Sequence, residues 1–201
     1  MNKKIIVVAV LLLSMCLFVG CAQPSDDIAK AEIETETKST GEPSEVVGTK
    51  IIPIDAIQSS FEFEGYTVGK SHIGTFTVAS GSLAYDEKNV LVSASGTIDA
   101  ATVDTGIGGL DTHLKSDDFF DVEQFATIEM VSSSITYDAV TGEGEVTGDL
   151  TFHGVTKSIT FPVTVTEDGL STDFLLDTTP FNMKYLGVDK EVRIAFNLVA
   201  E

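Results

Sequence analysis

From about residue 51 onward, apolar and polar residues alternate with a period of two, in segments separated by turns rich in Gly, Asp and Asn. That period is the signature of antiparallel strands with one face in a core and one in water. Residues 59–66 put Phe61 and Phe63 on one side and Glu62 and Glu64 on the other. Gly65 and Gly69 mark a bend or turn, after which residues 72–80 resume the alternation with Gly74, Phe76 and Val78 in phase. A short strand is expected at 83–85 beyond Gly81 and Ser82, then a turn at 86–89. A long strand follows with Val90, Val92, Ala94, Gly96 and Ile98 on one parity.

The alternation stops at residues 104–121. Gly106, Gly108 and Gly109 loosen the backbone there, and 111–120 has room for one or two helical turns before the aromatic pair Phe119 and Phe120. It resumes at 126–137, where Ile128 and Met130 share one parity and Ile135 and Tyr137 the other, which predicts a bulge within 131–134. A turn containing Gly142 leads to Val146, Gly148, Leu150 and Phe152, and past His153 and Gly154 to Ile159, Phe161, Val163 and Val165. A hairpin turn at 167–169 precedes Phe174 and Leu176, and Val192, Ile194, Phe196 and Leu198 belong to the last strand. The pattern gives an all-β domain: a single antiparallel barrel of roughly eight strands, with a short helical or loop insertion near 105–122. A first picture is two half-sheets joined through that aromatic-capped connection.

The first fifty residues read differently. Lys3 and Lys4 precede an apolar run over 5–19, shorter than the roughly 20 residues that cross a bilayer, as in an export signal expected to occupy 1–20. Phe18-Val19-Gly20-Cys21 resembles a bacterial lipobox, which implies cleavage before Cys21 and its acylation. Cys16 falls in the removed part, so the mature chain holds one cysteine and no internal disulfide. Residues 21–50, rich in Ser, Thr, Glu and Asp, read as the lipidated Cys followed by a disordered acidic linker, with the folded domain at 51–201. A helix over 28–36 has too few apolar positions to dock. The expected location is outside the cytoplasm, on the periplasmic or outer face of a membrane.

A length of 201 residues and 43% hydrophobic content suffice for one core. The formal charge of −19 becomes −21 once Lys3 and Lys4 are lost, which repels nucleic acid and anionic headgroups and argues against a nucleic-acid partner. The oligomeric state is left open, a dimer included.

Three ordered motifs, Thr102-Val103-Asp104-Thr105-Gly106, then DTHLKSDDFFDV at 111–122, then GDLTFHGVTK at 148–157, resemble the YceI-like family of polyisoprenoid-binding, lipocalin-like proteins. Two positions depart from the family pattern: Ala126 stands where Pro is usual, and 181–187 lacks the usual Arg. The resemblance implies a lipocalin-like barrel and a long isoprenoid ligand, such as a polyprenyl lipid or a quinone tail, held for carriage, storage or sequestration.

An eight-stranded barrel either fills its interior with side chains or keeps room for one ligand. Gly74, Ala94, Gly96 and Gly148 interrupt the apolar faces; the same glycines also suit strand bending and close packing. With a cavity, the candidate lining is Phe61, Phe63, Phe76, Phe119, Phe120, Ile128, Met130, Phe152, Phe161, Phe174 and Phe196. The alternative is a structural or stress-protective surface protein with a filled barrel that acts through protein partners. An enzyme ranks third. Asp111, His113 and Ser116 are the residue types of a nucleophilic relay, but all lie within one short loop, and no G-x-S-x-G elbow is present. They are read as structural, with Asp111 and His113 bonding loop backbone and Phe119 and Phe120 as an apolar plug. His153 is read as satisfying a turn. His72, His113 and His153 show no metal-ligand spacing, so no metal, cofactor or catalytic residue is assigned.

Overall fold

Ten strands and one short α-helix follow one another in the computed structural model, which describes residues 27–34, 49–183 and 188–201. The expected export segment, Cys21 and most of the expected linker lie outside the described residues. In chain order the elements are β1 (Glu32–Ile33), β2 (Lys50–Pro53), β3 (Ser60–Thr67), β4 (Lys70–Tyr85), β5 (Leu91–Asp104), α1 (Gly108–Lys115), β6 (Thr127–Tyr137), β7 (Glu143–Phe152), β8 (Val155–Val165), β9 (Gly169–Asp177) and β10 (Val188–Val199). Each strand from β3 to β10 pairs antiparallel with the next, and β10 returns to pair with β3. The result is a closed up-and-down barrel of eight strands, as the alternation predicts. The half-sheet picture is corrected: β5 and β6, on either side of the connection, are direct neighbours in one closed sheet. Strand β2 lies beside the far end of β4.

Turn chemistry sets the hairpins. His153 (φ 48°) and Gly154 (φ 72°) form a two-residue loop with both backbones left-handed, the geometry that matches strand twist. The predicted bulge is found at Ser133: Ser132 faces Gly148 while Ser134 faces Thr147, and this inverts the parity of Ile135 and Tyr137. Two strand readings need correction. The segments expected at 72–80 and 83–85 are one sixteen-residue strand, β4, because Gly81 is a point of close approach rather than a break. A Cβ at Gly81 would strike the Ile54 side chain and come within 2.5 Å of the Ser95 carbonyl oxygen. Val90 and Val92 do not lead the inward face of β5. Tyr85 pairs with Leu91 and Ala84 with Ser93, so an extra residue at Val92 shifts the phase; Leu91 is buried and Val90 exposed.

A third correction concerns the linker. Its residues 30–33 are part of the sheet, with Glu32 opposite Thr160 and Ile33 opposite Ile159 on β8, and Lys30 bridged to Leu175 on β9. An apolar helical face was the wrong criterion for docking: an open strand edge offers backbone groups, and a short polar strand can pair with them.

One end of the barrel is packed solid by Leu83, Leu91, Leu170 and Val163. Phe181, in a 3-10 turn at Thr179–Phe181, has no exposed surface and packs its ring 5.6 Å from that of Phe152. Phe181→Ala is expected to cost about 3–5 kcal/mol of stability, seen as a lowered urea midpoint with little change in slope.

Candidate functional site

The other end of the barrel carries the β3–β4 turn, α1 and the β7–β8 turn, and there the interior is hollow. A cavity of about 410 Å³ is lined by inward residues of nearly every barrel strand together with Leu110, Leu114, Phe119 and Phe120 of the helical connection. This lies within the usual range of small-molecule pockets. A smaller cavity of about 70 Å³ lies deeper, beside Val78, Ala94, Gly96 and Val146.

The wall is a chain of ring contacts. Phe174 stacks on Phe161 at 4.8 Å, Phe161 meets Phe196 edge-on at 6.0 Å, and Phe196 stacks on Phe61 at 5.9 Å. Phe61 continues to Phe76 at 5.9 Å, Phe76 to Phe120 at 5.3 Å, and Phe120 to Phe152 at 6.0 Å. Rings braced on one another stay against the wall, and that is why bulky residues leave a void instead of filling it. All eleven candidate lining residues face this cavity: Phe61, Phe63, Phe76, Phe119, Phe120, Ile128, Met130, Phe152, Phe161, Phe174 and Phe196. The glycines divide between the two readings. A Cβ at Gly74 would strike the Phe63 ring, and one at Gly148 would strike the Val131 carbonyl and lie 2.7 Å from Ser132 Cα; both permit close packing. Gly96 has open space around it.

Polar groups gather where the cavity meets solvent. Thr67, Lys70, His72, Thr105, His113 and Asp189 line it there, and Lys70 and His113 are exposed. Two of the chain's three histidines therefore share one rim.

Phe119 is buried and Phe120 half-buried, and both line the cavity from the helical connection. The helical connection is locked by Asp111, whose Oδ1 accepts hydrogen bonds from Thr105 N (2.8 Å) and Thr105 Oγ1 (2.6 Å). These bonds hold the Asp111 carboxyl below the usual carboxylate range, the hydroxyl bond first and the backbone bond second. Ser116 Oγ donates to the His113 carbonyl at 2.7 Å, and the His113 ring sits edge-on to Phe119 at 4.9 Å with Nε2 3.7 Å from Asp118 Oδ2. Asp111 and Ser116 are thus engaged with loop partners and not with the His113 imidazole. His153 departs from its expected role: both ring nitrogens are buried without a hydrogen-bond partner among the described residues, and the ring packs 4.6 Å from that of Phe125. It serves the turn through its left-handed backbone. Among the described residues, no group of three or more His, Cys, Asp and Glu is arranged to hold a metal ion.

Several lining residues escaped the sequence reading. Leu150, Ile159, Leu176, Ile194 and His72 share parity with named aromatic positions, and that phase was the available signal. Leu110, Leu114 and Met183 come from non-strand segments with no such phase. Of the 181–187 stretch, Met183 lines the cavity, and 184–187 lie outside the described residues.

The lowered Asp111 pKa has a testable sign. Its stabilising contribution is complete above the ordinary carboxylate value of about 4 and is lost as pH falls through the lower folded-state value. Asp111→Asn is expected to be less stable than the parent at neutral pH and to lose less stability on acidification below about pH 4. Thermal unfolding monitored by circular dichroism across pH checks this.

With fold and cavity in view, the kinships follow. The YceI-like domain pattern matches residues 53–200. A UPF0312 protein of Vibrio parahaemolyticus is 35% identical over 112 residues, 55% of this chain and 59% of that protein, so the chain spans less than two thirds of that relative. The crystal structure of Burkholderia cenocepacia BcnA superposes with a TM-score of 0.66 at 27% identity, covering 74% of this chain and 99% of that one. A polyisoprenoid binding domain from Saccharophagus degradans, implicated in plant cell wall breakdown, has the same fold at a TM-score of 0.57 and 17% identity, covering 76% and 99%. The domain pattern covers most of the sequence, and the chain belongs to the YceI-like family.

Proposed function

We propose that this protein is an exported, lipid-anchored carrier that holds a long-chain isoprenoid or similar amphiphilic lipid, such as a polyprenyl lipid or a quinone tail, inside its barrel. The observation that carries the reading is the cavity: about 410 Å³ walled mostly by aromatic and aliphatic side chains, with Lys70, His72 and His113 among the polar groups at its rim. An apolar chain would take the interior, and a polar head would remain at Lys70, His72 and His113. The Saccharophagus degradans domain of the same fold, itself a polyisoprenoid binder, supports the choice of ligand class.

Energetics favour exchange over capture. Burying a methylene from water is worth about 0.8 kcal/mol, but an isoprenoid already sits in a bilayer, so moving it from membrane to barrel is close to neutral. Such a balance suits carriage, storage or sequestration. Attachment at Cys21 would keep the domain beside its source, with two acyl chains needed for stable anchoring.

Mass spectrometry of an organic extract of the gently purified exported protein is expected to find a stoichiometric isoprenoid lipid. A clean blank after incubation with isoprenoid lipids would overturn the reading. Met130→Trp fills the cavity and is expected to lower lipid retention by about tenfold while preserving the β circular dichroism spectrum. Cys21→Ala is expected to move the protein from the membrane pellet to the soluble fraction, and persistence in the pellet would refute the anchor.

A further inference from the structure

The barrel has one weak seam. Strands β7 and β8 share ten residue pairs, and β9 and β10 share nine. Strands β8 and β9 share two, Thr164 with Ser171 and Val165 with Leu170, and then diverge. Residues 29–34 occupy the gap. On the β9 side, Ala31 N donates to Leu175 O and Leu175 N to Ala29 O, both at 2.8 Å; on the β8 side, Glu34 N donates to Ser158 O at 3.0 Å. The segment runs parallel to β9 and antiparallel to β8.

It is a slight closure. Its apolar contacts are Ala31 and Ile33, both half-buried, and among the described residues its side-chain tie is the solvent-facing pair of Lys30 Nζ with Glu191 Oε1 at 2.5 Å. Ile159 and Phe161 on β8, and Phe174 and Leu176 on β9, line the large cavity. The gap that β1 covers is therefore a gap in the backbone of the cavity wall, backed on the inside by the stacked rings of Phe161 and Phe174 at 4.8 Å.

We propose that residues 29–34 form a removable closing strand, and that its withdrawal opens a lateral slot between β8 and β9 through which an apolar chain enters and leaves the cavity. The proposal rests on the lipid-binding reading and adds the route. Two features favour the side over the open end. Phe119 and Phe120 line that end and Lys70, His72 and His113 stand at its rim, so an apolar chain passing there meets aromatic bulk and polar groups. Withdrawal of β1 breaks few hydrogen bonds, and the freed groups lie at the outer surface where water replaces them. The strand is also the first described element after Cys21, so tension on an anchor at Cys21 would act directly on the seam.

The test joins the strand to its neighbour. In the full chain carrying Cys16→Ser and Cys21→Ser, Glu32→Cys and Thr160→Cys are oxidised to a disulfide, verified by mass spectrometry, between residues that face one another across the β1–β8 pair. Uptake and release of dansyl-labelled geranylgeraniol, presented in phosphatidylcholine vesicles, are followed by fluorescence. The oxidised form is expected to exchange about tenfold more slowly in both directions with unchanged equilibrium retention, and reduction restores the parent rates. Ala31→Pro, which removes the Ala31 N–H bond to Leu175, is expected to accelerate both directions. Equal rates in oxidised and reduced protein, or a Pro variant no faster than the parent, would overturn the lateral route while leaving lipid binding intact. Absence of probe binding in the reduced protein would overturn the lipid-binding reading and the route with it.

Discussion

A β-sheet in water must do something with its two edges, and closure into a barrel is the one arrangement that removes both. Here closure depends on backbone pairing between β10 and β3 and along the β8–β9 seam, since the described residues hold no cysteine and no disulfide joins these strands. Arg193 reinforces the first junction from outside. Its guanidinium makes a two-pronged contact with Asp173 on β9, at 2.8 and 2.6 Å, and lies 3.7 Å from Glu64 on β3. One β10 side chain thus ties both neighbouring strands, and beside it Tyr66 is pushed up to about 12, by burial first and by its bond to Glu64 second.

Closure also dictates the interior. Alternate residues of eight strands point inward, and the space they share is filled at one end by branched aliphatic side chains that interdigitate. At the other end large rings lean on one another along the wall, and a void remains between them. The helical connection could not be a simple hairpin, because Leu114, Phe119 and Phe120 must reach inward over that void while Asp111 ties the chain back to Thr105. The apolar cavity and its polar rim are both consequences of a closed sheet with one end left unfilled.

The same geometry places the charge. Inward positions are mostly apolar, so apart from Asp189 at the rim the acidic residues of the described barrel are left to outward positions and turns. Against that background, Lys70, His72 and His113 gather basic side chains at one rim of the cavity. The wall is weakest where β8 and β9 part, and a strand from outside the barrel completes it there.

Strand number, antiparallel class and the Ser133 bulge could be read from the chain because a period of two reports directly which side chains share a face, and a change of phase reports an inserted residue. Nine of the eleven lining residues were legible for the same reason, since inward phase in a barrel is cavity phase wherever the interior is hollow; Phe119 and Phe120 lie on the connection, where there is no such phase. Periodicity carries no information about what lies across a sheet. Gly74 and Gly148 fit missing volume and close packing equally well in the sequence, and a ring and a neighbouring backbone occupy the space beside them. The phase shift at Val92 depends on register with Tyr85, and the role of the His153 ring depends on Phe125, far away in sequence. The docking of residues 29–34 was invisible because its cause, a gap between β8 and β9, exists only after the barrel has closed. Local alternation decided which residues face inward; the tertiary structure alone decided where that inward space is filled, where it is empty and which segment shuts its side, because those depend on the distances between strands.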